Sequence, residues 1–129
     1  MRGIIELVAL ALRRFDSAYE RYEQTDALID LWIAFEALLV PDGTSELRYR
    51  AALRIARLAG PEPSDRENAF AFAKRSYDVR SKVVHGTAPP DDLGKVLEET
   101  RQLARVVLER WICDPPQDGV QGLDRSLLA

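Results

Sequence analysis

Few side chains in this 129-residue chain have the chemistry and the spacing to act on a substrate. His85 is the only histidine and Cys113 the only cysteine. A structural zinc site needs about four Cys or His ligands, and a disulfide framework needs at least two cysteines. A Ser-His-Asp triad or a Cys-His pair has only one imidazole to draw on. Histidine chemistry therefore runs through His85, or through two copies of it in a symmetric dimer.

The richest stretch is Tyr77-Asp78-Val79-Arg80-Ser81-Lys82-Val83-Val84-His85-Gly86. Phe70, Ala73, Tyr77, Arg80 and Val84 are spaced by three and four, so Arg80 falls in phase with an apolar helix face. An arginine there must be paired, must face a ligand, or must snorkel from the edge of the core to water. His85 falls at the end of the same helix. It either caps the last carbonyls or supplies the one side chain that changes charge near neutral pH. On one helix, five residues separate two side chains by about 140°, so Arg80 and His85 do not share a face. Two helices facing each other across a dimer axis would bring both pairs to one cleft. The third unusual residue is Glu36, the only charge from Leu31 to Val40. A carboxylate in such a segment needs a partner or a raised pKa. Arg80, Tyr77 and His85 are its natural partners, and the arginines of the following helix are the alternative.

Those residues must be carried by helices. Steps of three and four place a first helix from Ile4 to about Tyr22, faced by Leu7, Val8, Ala11, Phe15, Ala18, Tyr19 and Tyr22. A helix that opens this near the first residue hints at a natural protein extending upstream. A second helix, capped at Thr25 or Asp26, runs to about Val40 and is apolar on nearly every side, as a central buried helix is. A third follows Thr44 or Ser45 and ends at about Ala59, before Gly60-Pro61. Its core stripe is Leu47, Ala51, Ile55 and Leu58, and Arg50, Arg54 and Arg57 form a basic ridge on another face. A fourth opens on the capping-box pattern Ser64-Asp65-Arg66-Glu67 and reaches about His85, with Gly86 placed as the residue after the cap. A fifth spans about Asp91 to Ile112. Residues 113–129 read as an extended or loosely docked tail, held by Leu123, Leu127 and Leu128. The expected fold is an all-α bundle, residues 1–112, of four long helices plus a shorter one, with no β-sheet.

Composition fits one ordinary globular domain: 47% hydrophobic and 30% charged residues. Such a length buries about two-thirds of the unfolded surface without a staple. The formal net charge of −3 hides a split. Residues 48–85 carry nine Lys and Arg against four Asp and Glu, and the remainder is acidic. The basic middle either attracts an anion or nucleic acid or is simply a solvated face. Glu6 and Arg13-Arg14 interrupt the apolar start, so no targeting signal and no membrane span is expected, and the expected location is cytoplasmic.

The stretch Arg80-Ser81-Lys82-Val83-Val84-His85 resembles the Arg-x4–6-His motif of HEPN domains (higher eukaryotes and prokaryotes nucleotide-binding). Together with Ile33-Ala34-Phe35-Glu36-Ala37-Leu38-Leu39 and with Leu47 to Leu58, it is similar to the Apea-like HEPN group. The resemblance spans roughly Ile4 to Ile112. It implies a helical bundle that dimerises, with Arg80 and His85 as the catalytic pair of an endoribonuclease needing no metal or other cofactor. It further implies that Glu36, Tyr77 and Ser81 support that pair, and that Arg50, Arg54, Arg57 and Lys82 contact RNA phosphates. The implied partners are a second copy of the chain, RNA or a nucleotide, and an antitoxin or regulatory domain, in a toxin–antitoxin or phage-defence setting. Many active members carry a polar, often amide, side chain directly after the motif arginine, where this chain has Ser81, polar but shorter. The same motif also fits a non-catalytic module that dimerises or binds a nucleotide or partner. A plain structural bundle with a Glu36–Arg80 ion pair is the third reading.

Overall fold

The computed structural model describes residues 2–128 except Asp42 and Thr44, and it describes no side chain for Arg2, Ile4, Ser126, Leu127 or Leu128. Six helices occur among the described residues, and no strand: α1 (Arg2–Glu20), α2 (Gln24–Leu39), α3 (Leu47–Ala59), α4 (Pro63–Val84), α5 (Leu93–Cys113) and α6 (Gly119–Leu128). None is long and apolar enough to cross a membrane.

Short links set the layout. Three residues join α1 to α2 and three join α3 to α4, so each pair packs as neighbours. The α2 helix sits in the middle and touches α1, α3, α4 and α5. Its Leu28, Leu31, Trp32 and Leu39 are fully enclosed, with Ile55 of α3 and Val96 and Val107 of α5 around them. The central position expected from its apolar run is therefore the one it takes. The α5 stripe is also buried as its spacing predicts, from Leu93 through Trp111, with only Leu103 partly exposed.

Four local expectations change. Helix α2 opens at Gln24 with Glu23 as its N-cap, ahead of the expected Thr25 or Asp26. Helix α1 ends at Glu20, which leaves Tyr22 outside it and 96% exposed. Helix α4 starts one residue early because Pro63 takes the first turn, where its missing N–H costs nothing. Glu62, not Ser64, is its N-cap, and no side chain caps it. The expected cap of α3 at Thr44 lies outside the described residues. Its observed N-cap is Glu46, not Ser45.

The largest correction is at the C-terminus. The segment read as an extended or loosely docked tail contains a ten-residue helix, α6, packed on α3. Leu123 is buried, as expected of a docking residue. The expected roles of Leu127 and Leu128 fall on side chains outside the described ones. Asp124, which sequence reasoning passed over, pairs with Arg54. Pro115-Pro116 breaks the run between α5 and α6 and masks the second helix in a periodicity reading.

Candidate functional site

The site is built on the contact between α2 and α4. The α4 face toward the core is Ala69, Ala73, Ser76 and Val79. Arg80 thus stands beside the core line, at its edge, with a side chain 21% exposed. Ser76 occupies the centre instead. Its hydroxyl accepts a hydrogen bond from Trp32 Nε1 at 3.0 Å and lies 2.8 Å from the Thr100 hydroxyl, which donates to the Val96 carbonyl at 2.6 Å. This chain of buried polar groups ties α2, α4 and α5 together with every member paired. It fixes the height of α4 against α2.

That register sets Arg80 beside Glu36. The guanidinium Nη2 lies 3.4 Å from Glu36 Oε1, and the Glu36 side chain is 27% exposed. Of the partners weighed for Glu36, Arg80 is the one the fold supplies. The pair is loose. Glu36 Oε1 and Arg80 Nε are both shielded from water and neither has a hydrogen-bond partner. Burial pushes the Glu36 carboxyl above its ordinary range, and the Arg80 charge pulls it back only in part. Tyr77 backs the pair: the Arg80 guanidinium lies 5.5 Å from its ring centre, and the ring meets Trp32 edge-on at 5.3 Å.

His85 is the C-cap of α4. Gly86 follows with φ +81°, the left-handed conformation that glycine takes without a Cβ penalty. Its N–H donates to the Val83 carbonyl, and the Thr87 N–H donates to the Lys82 carbonyl at 2.8 Å. These two bonds form a Schellman cap, the termination expected from Gly86. The imidazole is exposed at this rim, and no side-chain bond or ion pair with the described residues holds it. Lys82 is exposed beside it and Ser81 half-exposed. Arg80 and His85 make no contact. On one helix they are about 7.5 Å apart along the axis and diverge by about 140°.

The basic ridge of α3 is mostly taken up by the fold. Arg54 is 2% exposed, so its expected role at an RNA phosphate is corrected. Its Nε and Nη2 donate to the two Asp124 oxygens at 3.0 and 2.8 Å, and Nη1 donates to the Leu39 carbonyl at 2.6 Å. Arg50 is partly exposed and lies between Glu46 at 3.7 Å and Asp124 at 4.0 Å. Arg57 is half-exposed at the end of α3.

Sequence reasoning missed three groups. Asp30, 2% exposed, accepts from Arg14 Nη1 at 3.2 Å and Arg21 Nε at 2.7 Å, closing the α1–α2 pair. It stands one residue before the apolar run in which Glu36 was conspicuous. Arg48 meets Asp78 through two bonds of 2.7 and 2.9 Å, linking α3 to α4 next to Tyr77. Tyr49 is 52% exposed and meets Phe70 edge-on. No local pattern marks these residues, because each meets its partner only when helices pack.

No three His, Cys, Asp or Glu side chains among the described residues converge as a metal-binding group would. The fold and site together define an all-α bundle with a half-buried carboxylate–guanidinium pair between α2 and α4 and an exposed histidine at the glycine-capped end of α4. The chain matches no family model, no curated protein and no solved structure.

Proposed function

We propose that the chain is a HEPN-type, metal-independent endoribonuclease domain that acts as a dimer. One observation carries the reading. The Arg80 side chain is 21% exposed and meets Glu36 at 3.4 Å through Nη2 alone, while His85 stands exposed at the end of the same helix with no side-chain partner among the described residues. A guanidinium held this loosely has N–H groups to offer a phosphodiester. An unpaired imidazole is free to move protons.

In this reading Arg80 holds the scissile phosphate and stabilises charge on its non-bridging oxygens. The ribose 2′-oxygen attacks phosphorus, the P–O5′ bond breaks, and a 2′,3′-cyclic phosphate remains. One neutral His85 imidazole takes the 2′-hydroxyl proton. A protonated His85 from the second copy gives a proton to the leaving 5′-oxygen. The two copies are needed because a single α4 directs Arg80 and His85 about 140° apart. Glu36 and Tyr77 orient the guanidinium, and Lys82 lies near enough to His85 in sequence to meet the backbone.

A second reading, a non-catalytic module that dimerises or binds a nucleotide, is favoured by one feature. Glu36 already neutralises Arg80, and acids engage Arg50 and Arg54 of α3. An assay of single-stranded RNA in excess EDTA separates the two. Wild type should cut and leave cyclic-phosphate ends, whereas folded His85→Ala should not. Nucleotide binding without strand scission selects the second reading, and a His85→Ala variant as active as wild type ends the first.

A further inference from the structure

The start of α3 and the middle of α4 enclose an open hollow of about 410 Å³, lined by Ser45, Glu46, Leu47, Arg48, Tyr49 and Tyr77. Two of its walls are aromatic. The T-shaped contact of Tyr49 with Phe70, ring centres 5.8 Å apart, engages only part of the ring, and half of the residue remains exposed. The cations around these rings are held in place. Arg48 is fixed by its two bonds to Asp78, and the Lys74 ammonium lies 4.2 Å from the Phe70 centroid. The acids here are offset: Asp78 by Arg48, and Glu46 by Arg50 at 3.7 Å. Tyr77 connects the hollow to the candidate site, because Arg80 lies against the same ring. One exposed ring, a partly buried second ring and nearby cations are features with which proteins seat unpaired bases.

We infer that this hollow seats one unstacked base of a single-stranded nucleic acid, with Tyr49 as the stacking platform and Tyr77 as the wall shared with Arg80. The inference rests on the reading that Arg80 holds an RNA phosphate, and it adds the place where the neighbouring base goes. Tyr49 and Arg48 contribute binding and positioning, with no part in proton transfer. Stacking tolerates any base, so the hollow selects for single strands ahead of sequence.

The test uses a labelled single-stranded 2′-O-methyl RNA oligonucleotide, which lacks the attacking hydroxyl and cannot be cut. Binding is followed by fluorescence anisotropy for the full chain, Tyr49→Ala and Tyr49→Phe, each confirmed folded by circular dichroism. Tyr49→Ala should weaken binding roughly tenfold, and Tyr49→Phe should stay within about twofold, because the ring and not the hydroxyl stacks. A series with a single abasic position moved along the strand gives the second arm. Wild type should lose affinity at one position, and that loss should vanish in Tyr49→Ala. Equal affinities for wild type and Tyr49→Ala, or equal abasic losses in both, overturn the inference, as does an absence of single-strand binding by wild type. Cleavage of unmodified RNA is scored separately. Tyr49-dependent binding without cleavage leaves the base hollow standing and removes the ribonuclease reading; cleavage indifferent to Tyr49 does the reverse.

Discussion

Replacing Asp124 by alanine should remove the ion pair that ties α6 to the buried Arg54 of α3. Arg54 is 2% exposed, and three of its bonds are short: two to Asp124 and one to the Leu39 carbonyl. Removing one partner of a buried ion pair costs about 3–5 kcal/mol, because the other charge is stranded. Asp124 is itself 38% exposed, so water reaches part of the gap and screening lowers the figure. Arg54 also keeps the Leu39 carbonyl. About 2 kcal/mol is the expected loss, equal to roughly 6–10 °C in melting temperature for a chain of this size. The assay is thermal and urea unfolding followed by far-ultraviolet circular dichroism at pH 7. The companion variant is Arg54→Met, which removes the buried charge and keeps most of its volume. Combined with Asp124→Ala it should be no less stable than Asp124→Ala alone, since no stranded charge remains. The pH dependence has a defined sign. The hydrogen bond from Arg54 holds the Asp124 carboxyl below its usual range, against the opposing effect of burial. Its contribution is present above the unfolded pKa of about 3.9 and is lost as pH falls through the lower folded value. The gap between wild type and Asp124→Ala should therefore close below about pH 4. A melting temperature for Asp124→Ala within 1 °C of wild type, or simple additivity in the double variant, would refute the stranded-charge argument.

The Glu36–Arg80 pair should behave in the opposite sense. Burial raises the Glu36 carboxyl, so its contribution favours the fold below the unfolded pKa and is lost as pH rises through the raised folded value. Glu36→Gln should therefore melt no lower than wild type at pH 7 and lose RNA cleavage or binding, the signature of a residue kept for its site. Arg80→Ala should raise the Glu36 pKa further, because the charge that pulls it down is gone; a carboxyl titration followed by ¹³C NMR checks this, and an unchanged value would contradict the pairing. Ser76→Ala leaves the buried Trp32 N–H and the Thr100 hydroxyl each short of a partner and should cost about 2 kcal/mol by urea unfolding, with wild-type stability excluding a role for the polar chain.

Local pattern was enough for α1 to α5 and most of their buried stripes. The α5 face from Leu93 to Trp111 and the α2 core need only a 3.6-residue period and the burial of apolar area. The Gly86 cap was equally legible, because a glycine after a helical run is the residue that tolerates a positive φ. The oddity of Glu36 could be read as well, since a lone charge in an apolar helix must be answered by something. Its answer could not: Arg80 lies 44 positions away and meets it only because Trp32, Ser76 and Thr100 set α4 against α2.

Tertiary contact alone decided the rest. Periodicity assigned Arg54 to an outer ridge, but three hydrogen bonds, two of them to a segment expected to be extended or loosely docked, make its burial tolerable. Helix α6 follows a double proline and has only ten residues, too short to persist in water without a docking surface. Its existence depends on α3, just as the burial of Arg54 depends on it. Asp30 sat one residue outside the segment that drew attention, and two arginines of α1 and the turn after it satisfy it. Periodicity records which face of a helix avoids water; it carries no record of which distant group will answer a buried charge, because that depends on the register of packed helices.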